Sequence, residues 1–320
     1  MLHVIANTNF FLTEFVMQRL RGVHDIRVLA HDGRRRGKSV LKMAEAYAPW
    51  LVDRMRAARY FSPEYYAQLR QIEPHDGVLI FGVENIKELH ILQGHLRSSR
   101  CTIFTWNPVR DYQQNHWKRQ LHVRALKGLG MRVVTFDPED ARKHGLELVP
   151  QVYRDVSVHV KPSVPEEIDL FFVGQDKGRL PVLRRLLDCA NAAGLRAYFH
   201  ITPDKNRNYS AEDQQLLTNM PLSYEDNLSW VNKSRCLVEV VQSHQSGPSV
   251  RSMEAAFFDK KLLTTRKMAR TDALYAADRV FIDSMDDAAQ LSSFLHASHA
   301  TVDPVLLAKH DVLYWCRQFA

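Results

Sequence analysis

The chain has 320 residues, 45% of them apolar and 25% charged, with a formal net charge of +7 and four cysteines. That length suits two cores of roughly 150 residues each, and the basic balance favours an anionic partner: a nucleotide sugar, an acidic saccharide, a phospholipid surface or nucleic acid. The first residues have no basic lead and are interrupted by Asn7, Thr8 and Asn9, which fits neither a signal peptide nor a membrane span, and the expectation is a soluble, cytoplasmic protein.

Short β-rich runs alternate with amphipathic stretches throughout, the pattern of parallel sheets with helices on their faces. In chain order the first half predicts strands at 2–6, 26–30, 77–81, 102–106 and 132–136, with helices at 11–21, 39–58, 63–72, 83–96 and 112–129. Residues 156–167 hold Pro162 and Pro165, show no helical period and read as a linker. A second alternating run predicts strands at 169–173, 197–201, 236–240, 261–265 and 280–282, with helices at 180–193, 224–233, 249–258 and 286–296. After Asp303-Pro304, the apolar residues Val305, Leu306, Val312, Leu313, Cys316 and Phe319 form a helical stripe that should pack on a domain surface. The expected fold is therefore α/β, with two Rossmann-like doubly wound domains facing across a cleft. Their bounds are 1–155 and 156–302, and 303–320 forms the C-terminal helix. Cys101, Cys189, Cys236 and Cys316 form no C-x-x-C pair and read as reduced, buried thiols.

In open parallel sheets ligands lie beyond the carboxyl ends of the strands. Phe171-Phe172-Val173-Gly174-Gln175-Asp176-Lys177-Gly178-Arg179 runs from a strand into a glycine-bearing loop, where Gly174, Lys177 and Arg179 suit a phosphate and equally suit a plain turn. After the 236–240 strand, a loop containing His244, Gly247 and Pro248 leads into a helix that starts at Ser249. Its amides would face an anion, Arg251 could pair with a phosphate, and Glu254 could accept both hydroxyls of a ribose. An ordinary capped helix explains the same spacing.

Tyr224-Glu225-Asp226-Asn227, Ser234 to Val240, Gln245-Ser246-Gly247-Pro248-Ser249-Val250-Arg251-Ser252-Met253-Glu254-Ala255 and Lys260 to Thr265 resemble the donor-binding half of bacterial GT-B glycosyltransferases. More narrowly, they resemble proteins of lipopolysaccharide or capsular polysaccharide biosynthesis. The likeness covers roughly residues 168–283, and the first half echoes it at Phe136-Asp137-Pro138-Glu139-Asp140 and Gln151-Val152-Tyr153. It implies a nucleotide-sugar donor on the second domain, touched by Gly247, Ser249 and Arg251 at phosphate and by Glu254 at ribose, with Tyr224 and His244 nearby. The acceptor, a saccharide or glycolipid, falls to the first domain. Many retaining members carry two glutamates eight positions apart. Here Ser246 stands eight before Glu254, which leaves the stereochemistry open.

On the acceptor side, Asn7, Asn9, Asn107 and Arg110 follow predicted strands. Glu84 and Asp111 are the candidate catalytic carboxylates, and each serves equally as a helix cap or first-turn acid. No histidine pair has the H-x-x-x-H or H-E-x-x-H spacing on a convincing helix and no D-x-D follows a strand, so the expectation is a metal-free reaction without cofactor. His31 to Ser39, with Arg34, Arg35 and Arg36, falls one residue short of a P-loop. It reads as a basic loop for an anionic acceptor or the inner face of the membrane, or as a solvated one. Basic and aromatic residues are not interleaved on one face, so no nucleic acid is expected. Two alternatives stand beside the transferase: a nucleotide-sugar epimerase or hydrolase of the same fold, and a non-enzymatic binder of anions.

Overall fold

The computed structural model describes residues 1–32, 60–83, 85–108, 123–205, 207–242, 245–282 and 287–320. The chain folds as two compact units: Met1–Thr135 with Asp140–Val149 and Cys316–Ala320, and Phe136–Glu139 with Pro150–Trp315. The expected linker thus belongs to the second unit, with Val156 buried. The C-terminal stretch divides after Trp315.

The first unit comprises β1 (Leu2–Ala6), α1 (Phe11–Met17), β2 (Ile26–Ala30), α2 (Pro63–Arg70), β3 (Gly77–Phe81), α3 (Ile86–His95), β4 (Arg100–Thr105), α4 (Val123–Gly128) and β5 (Arg132–Thr135), then α5 (Pro138–His144) from Asp140 on and β6 (Glu147–Leu148). The sheet order is β2-β1-β3-β4-β5-β6, every pair parallel. All five residues of β3 are buried, as a strand covered on both faces requires. Val78 and Ile80 pack with Leu69 of α2 and Leu89 and Leu92 of α3 on one face, and Leu79 and Phe81 point to the other.

In the second unit follow β7 (Ile168–Gln175), α6 (Leu180–Ala192), β8 (Ala197–Thr202), α7 (Ala211–Gln214), α8 (Tyr224–Lys233), β9 (Ser234–Glu239), α9 (Val250–Phe257), β10 (Lys261–Thr264), β11 (Val280–Ile282), α10 (Ala288–His296), α11 (Pro304–Ala308) and α12 (Val312–Trp315). The order is β11-β10-β9-β7-β8, again all parallel. Leu180, Leu183, Leu186 and Ala190 recur at helical spacing on α6 and bury against Leu170 and Phe172, each leucine contributing roughly 2 kcal/mol. In each sheet the order reverses once, between β1 and β3 and between β7 and β9. A doubly wound sheet opens its ligand crevice at that place.

Strands β1, β2, β3 and β11 have the predicted bounds. β7 instead continues to Gln175, because Gly174 and Gln175 pair with Ile201 and Thr202. The short elements β6, α5 and α7 carry too few apolar residues to show a period and were not anticipated. The predicted helix at 39–58 and most of that at 112–129 lie outside the described residues. The last helices belong to the second unit: Tyr153 N–H donates to His310 O at 2.8 Å, Val312 N–H to Tyr153 O at 2.9 Å, and the Trp315 indole to Pro150 O at 2.8 Å.

Candidate functional site

The carboxyl end of β9 delivers Glu239, 1% exposed, into a ring of donors. Its Oε1 accepts from Ser249 N–H at 2.8 Å and the Ser252 hydroxyl at 2.6 Å, and its Oε2 accepts from the Thr264 hydroxyl at 2.6 Å and Arg266 Nε at 3.5 Å. Burial alone would raise this carboxyl, yet the Arg266 charge and the donors hold it below the usual range. Ser249 is also the N-cap of α9, its hydroxyl accepting from Arg251 N–H at 3.1 Å.

The turn before α9 is occupied from within the chain. Asp137 Oδ2 accepts from Ser246 N–H at 2.6 Å and Gly247 N–H at 2.8 Å, and the Ser246 hydroxyl donates to Oδ1 at 2.5 Å. Gln151 Nε2 donates to Pro248 O at 3.0 Å. The Gly247 amide, expected to face a ligand phosphate, donates here within the chain. An anion does meet it, but that anion is the carboxylate of Asp137, and the Ser249 amide is likewise taken by Glu239. Glycine at 247 answers to packing: a Cβ there would lie 2.7 Å from Phe136 O and 2.8 Å from the Phe136 ring.

Past this turn, the structure brings Tyr224, Arg251 and Glu254 together. Glu254, 1% exposed, accepts from the Tyr224 hydroxyl at 2.6 Å and Asn227 Nδ2 at 3.1 Å through Oε1, and its Oε2 forms an ion pair with Arg251 Nη1. Tyr153 donates its own hydroxyl to Tyr224 at 2.5 Å, and burial pushes both phenols well up from their ordinary pKa. Arg251 Nη1 also reaches Asn227 Oδ1 at 3.3 Å, and the guanidinium lies over the Phe171 ring at 5.6 Å. Both contacts use Nη1. The Nε and Nη2 hydrogens of Arg251 meet no protein acceptor among the described residues, and its side chain is 14% exposed. A ribose on Glu254 would have to displace Arg251 and Tyr224 from a buried carboxylate.

At the end of β7, Gly174 leaves room for Arg179, whose Nη2 lies 2.9 Å from where a Cβ would stand. Arg179 donates to the carbonyls of Asp176 at 3.1 Å, Val240 at 3.0 Å and Gln175, and lies over the Phe172 ring at 5.2 Å. It thereby ties the ends of β7 and β9 at the crevice where the order reverses. Burial lowers the Arg179 guanidinium to about 10, so it stays charged at neutral pH. Lys177 is exposed at a φ of 47°, its N–H donating to Asp204 at 3.1 Å.

In the first unit, Asn7 and Trp106 approach within 4.0 Å of the place a Cβ would take at Gly82, so the ends of β1, β3 and β4 converge there. Asn9 and Asn107 are exposed beside them. Glu84, Arg110, Asp111 and His244 lie outside the described residues. Sequence reasoning assigned no role to Glu239, Asp137, Tyr153, Asn227 or Phe171. A carboxylate interrupting the apolar run from Cys236 to Val240 was the one available signal, for Glu239. Among the described residues no cluster of three or more histidine, cysteine or acidic side chains could hold a metal.

Two all-parallel sheets, each reversing its order once and each covered by helices on both faces, define the chain as a protein of two Rossmann-like α/β units. Among solved structures it is similar to an α,α-trehalose-phosphate synthase (UDP-forming) from Burkholderia vietnamiensis, with a TM-score of 0.50 at 13% identity over 99% of this chain and 95% of that one. It is also similar to the sucrose-phosphate synthase of Thermosynechococcus elongatus, TM-score 0.48 at 10% identity over 92% and 88% of the two chains. A third likeness is to TarM, TM-score 0.49 at 7% identity over 72% of this chain. There it spans about half of the other protein, 49% of its length. No family model matches the chain, and no curated protein sequence matches it.

Proposed function

We propose that the chain is a glycosyltransferase that holds a nucleotide sugar on its second unit at Arg251 and transfers the sugar to a saccharide or glycolipid acceptor on its first. The observation that carries this is the state of Arg251. A half-buried guanidinium at the first turn of α9 is fixed through Nη1 by Glu254 and Asn227, with its other N–H groups unspent among the described residues. Such a cation is pre-organised for the diphosphate of a leaving nucleotide. Glu254 and Tyr224 then serve to orient Arg251, and Arg179, charged and tied to the ends of β7 and β9, adds positive potential at the same edge.

In the reaction an acceptor hydroxyl oxygen bonds to the anomeric carbon as the bond from that carbon to the phosphate oxygen breaks. The nucleoside diphosphate takes the electron pair, stabilised by Arg251, and a carboxylate of the first unit, Glu84 or Asp111, accepts the hydroxyl proton. The UDP-forming synthase that shares the fold makes UDP-sugars the first donors to try. A metal-free reaction in bacterial lipopolysaccharide or capsule synthesis, at the inner face of the cytoplasmic membrane, is the particular setting we propose. No helix among the described residues is long and apolar enough to cross a membrane.

Calorimetry with UDP-, GDP-, dTDP- and CMP-linked sugars tests the reading. One donor should bind, and Arg251→Ala should weaken it by about tenfold or more, the worth of one charge-assisted contact. Absence of binding by every donor, with Arg251→Ala indistinguishable from the wild type, would end the proposal.

A further inference from the structure

We propose that Asp137 is a positioning residue for Arg251: its carboxylate fills an anion-receptive turn at Ser246 and Gly247 and so fixes the start of the helix that carries Arg251. This rests on the donor-contact reading of Arg251. Two consecutive N–H groups, of Ser246 and Gly247, converge on Oδ2 at 2.6 and 2.8 Å, and the Ser246 hydroxyl reaches Oδ1 at 2.5 Å. Successive amides aimed at one point make the concavity that in other proteins receives the phosphate or carboxylate of a ligand. Here the anion is covalently part of the chain and 0% exposed. It is held in turn by Glu139 N–H, which donates to Oδ1 at 3.0 Å.

From this point the backbone is pinned residue by residue. Gln151 holds Pro248 O, Glu239 takes Ser249 N–H, and the Ser249 hydroxyl takes Arg251 N–H. Removing the carboxylate leaves two N–H groups and a hydroxyl in a buried site without their acceptor. The turn must then open to find new ones, and Arg251, four residues on from Gly247, loses its place over Phe171 and beside Glu254.

Two variants and a small anion test this. Asp137→Gly leaves a space the size of the deleted carboxylate. Asp137→Asn fills that space with a single acceptor oxygen, so its NH2 group faces either the Ser246 and Gly247 N–H donors or that of Glu139. Nucleotide-sugar affinity is measured at a temperature where each variant is folded, and the Arg251 side-chain N–H resonance is followed by NMR. We expect roughly tenfold weaker binding in Asp137→Gly together with a displaced Arg251 resonance. Formate should restore both, chloride at equal ionic strength neither, and Asp137→Asn should be weakened without rescue. Formate that raises only the melting temperature, with affinity and resonance already those of the wild type, would reduce Asp137 to an anchor and overturn the inference. So would a complete absence of formate response. Should the wild type bind no nucleotide sugar, the proposed function falls, and the Arg251 resonance still decides the role of Asp137.

Discussion

Gly247→Ala offers a direct measure of how tightly the turn before α9 is held. The new Cβ would stand 2.7 Å from Phe136 O, 2.8 Å from the Phe136 ring and 3.0 Å from Asp137 Cα, against the 3.4 Å at which ordinary contact begins. Two of these neighbours are backbone atoms and cannot turn aside as a side chain can. Relief therefore requires the turn to move off the segment at 136–137, which lengthens the Gly247 and Ser246 bonds to Asp137. Overpacking of this kind costs about 1–3 kcal/mol. For a unit of this size that lowers the melting temperature by roughly 4–8 °C at the middle of the range. Gly94→Ala is the control. Gly94 lies within α3 with nothing within 4 Å of its would-be Cβ, so alanine there should stabilise by about 0.5–1 kcal/mol through helix propensity. Differential scanning calorimetry on the two variants reads both signs. Gly247→Ala melting within about 1 °C of the wild type would mean the turn yields freely, and the account of it as a pinned element would be wrong.

Tyr224→Phe removes the donor to Glu254 and the acceptor of Tyr153, leaving Asn227 alone on Oε1. Denaturant titration should show a loss of about 1–3 kcal/mol, and a loss below about 0.5 kcal/mol would discount the network. In the first unit, burial would raise the Asp76 carboxyl, but hydrogen bonds from Glu73 N–H and His3 bring it down from 3.8 to about 2. A depressed folded-state value means stability that is present above about pH 4 and is lost as the pH falls towards 2. Asp76→Asn should flatten that acid limb, and an unchanged limb would count against the assignment. Burial pushes the Cys101 and Cys236 thiols up, and Cys316 is buried too. Native-state labelling with a thiol reagent should therefore reach the half-buried Cys189 first. Transfer activity, once a donor is found, should survive chelation by EDTA, and its loss would refute a metal-free mechanism.

The strands were legible because a parallel sheet covered on both faces needs continuous apolar runs such as Val78 to Phe81, and composition alone marks those. The start of α9 was legible as well. Ser249 caps its own helix through a bond two residues away, to Arg251 N–H, so a few adjacent residues carry the whole signal. The grouping of Tyr224 with Glu254 came from resemblance, and the structure added what spacing could not: that the Arg251 guanidinium occupies one oxygen of that carboxylate.

Sequence by itself determined the α/β class, the positions of ten strands and the cap at Ser249, since each depends on side-chain pattern within one element. The tertiary structure alone decided which anion meets the amides of the turn before α9. Asp137 lies 109 residues from Ser246, and Tyr153 lies 71 from Tyr224. Amides and hydroxyls accept any well-placed oxygen, so their partners are fixed by the path of the chain through space, and no periodicity along the sequence encodes that path.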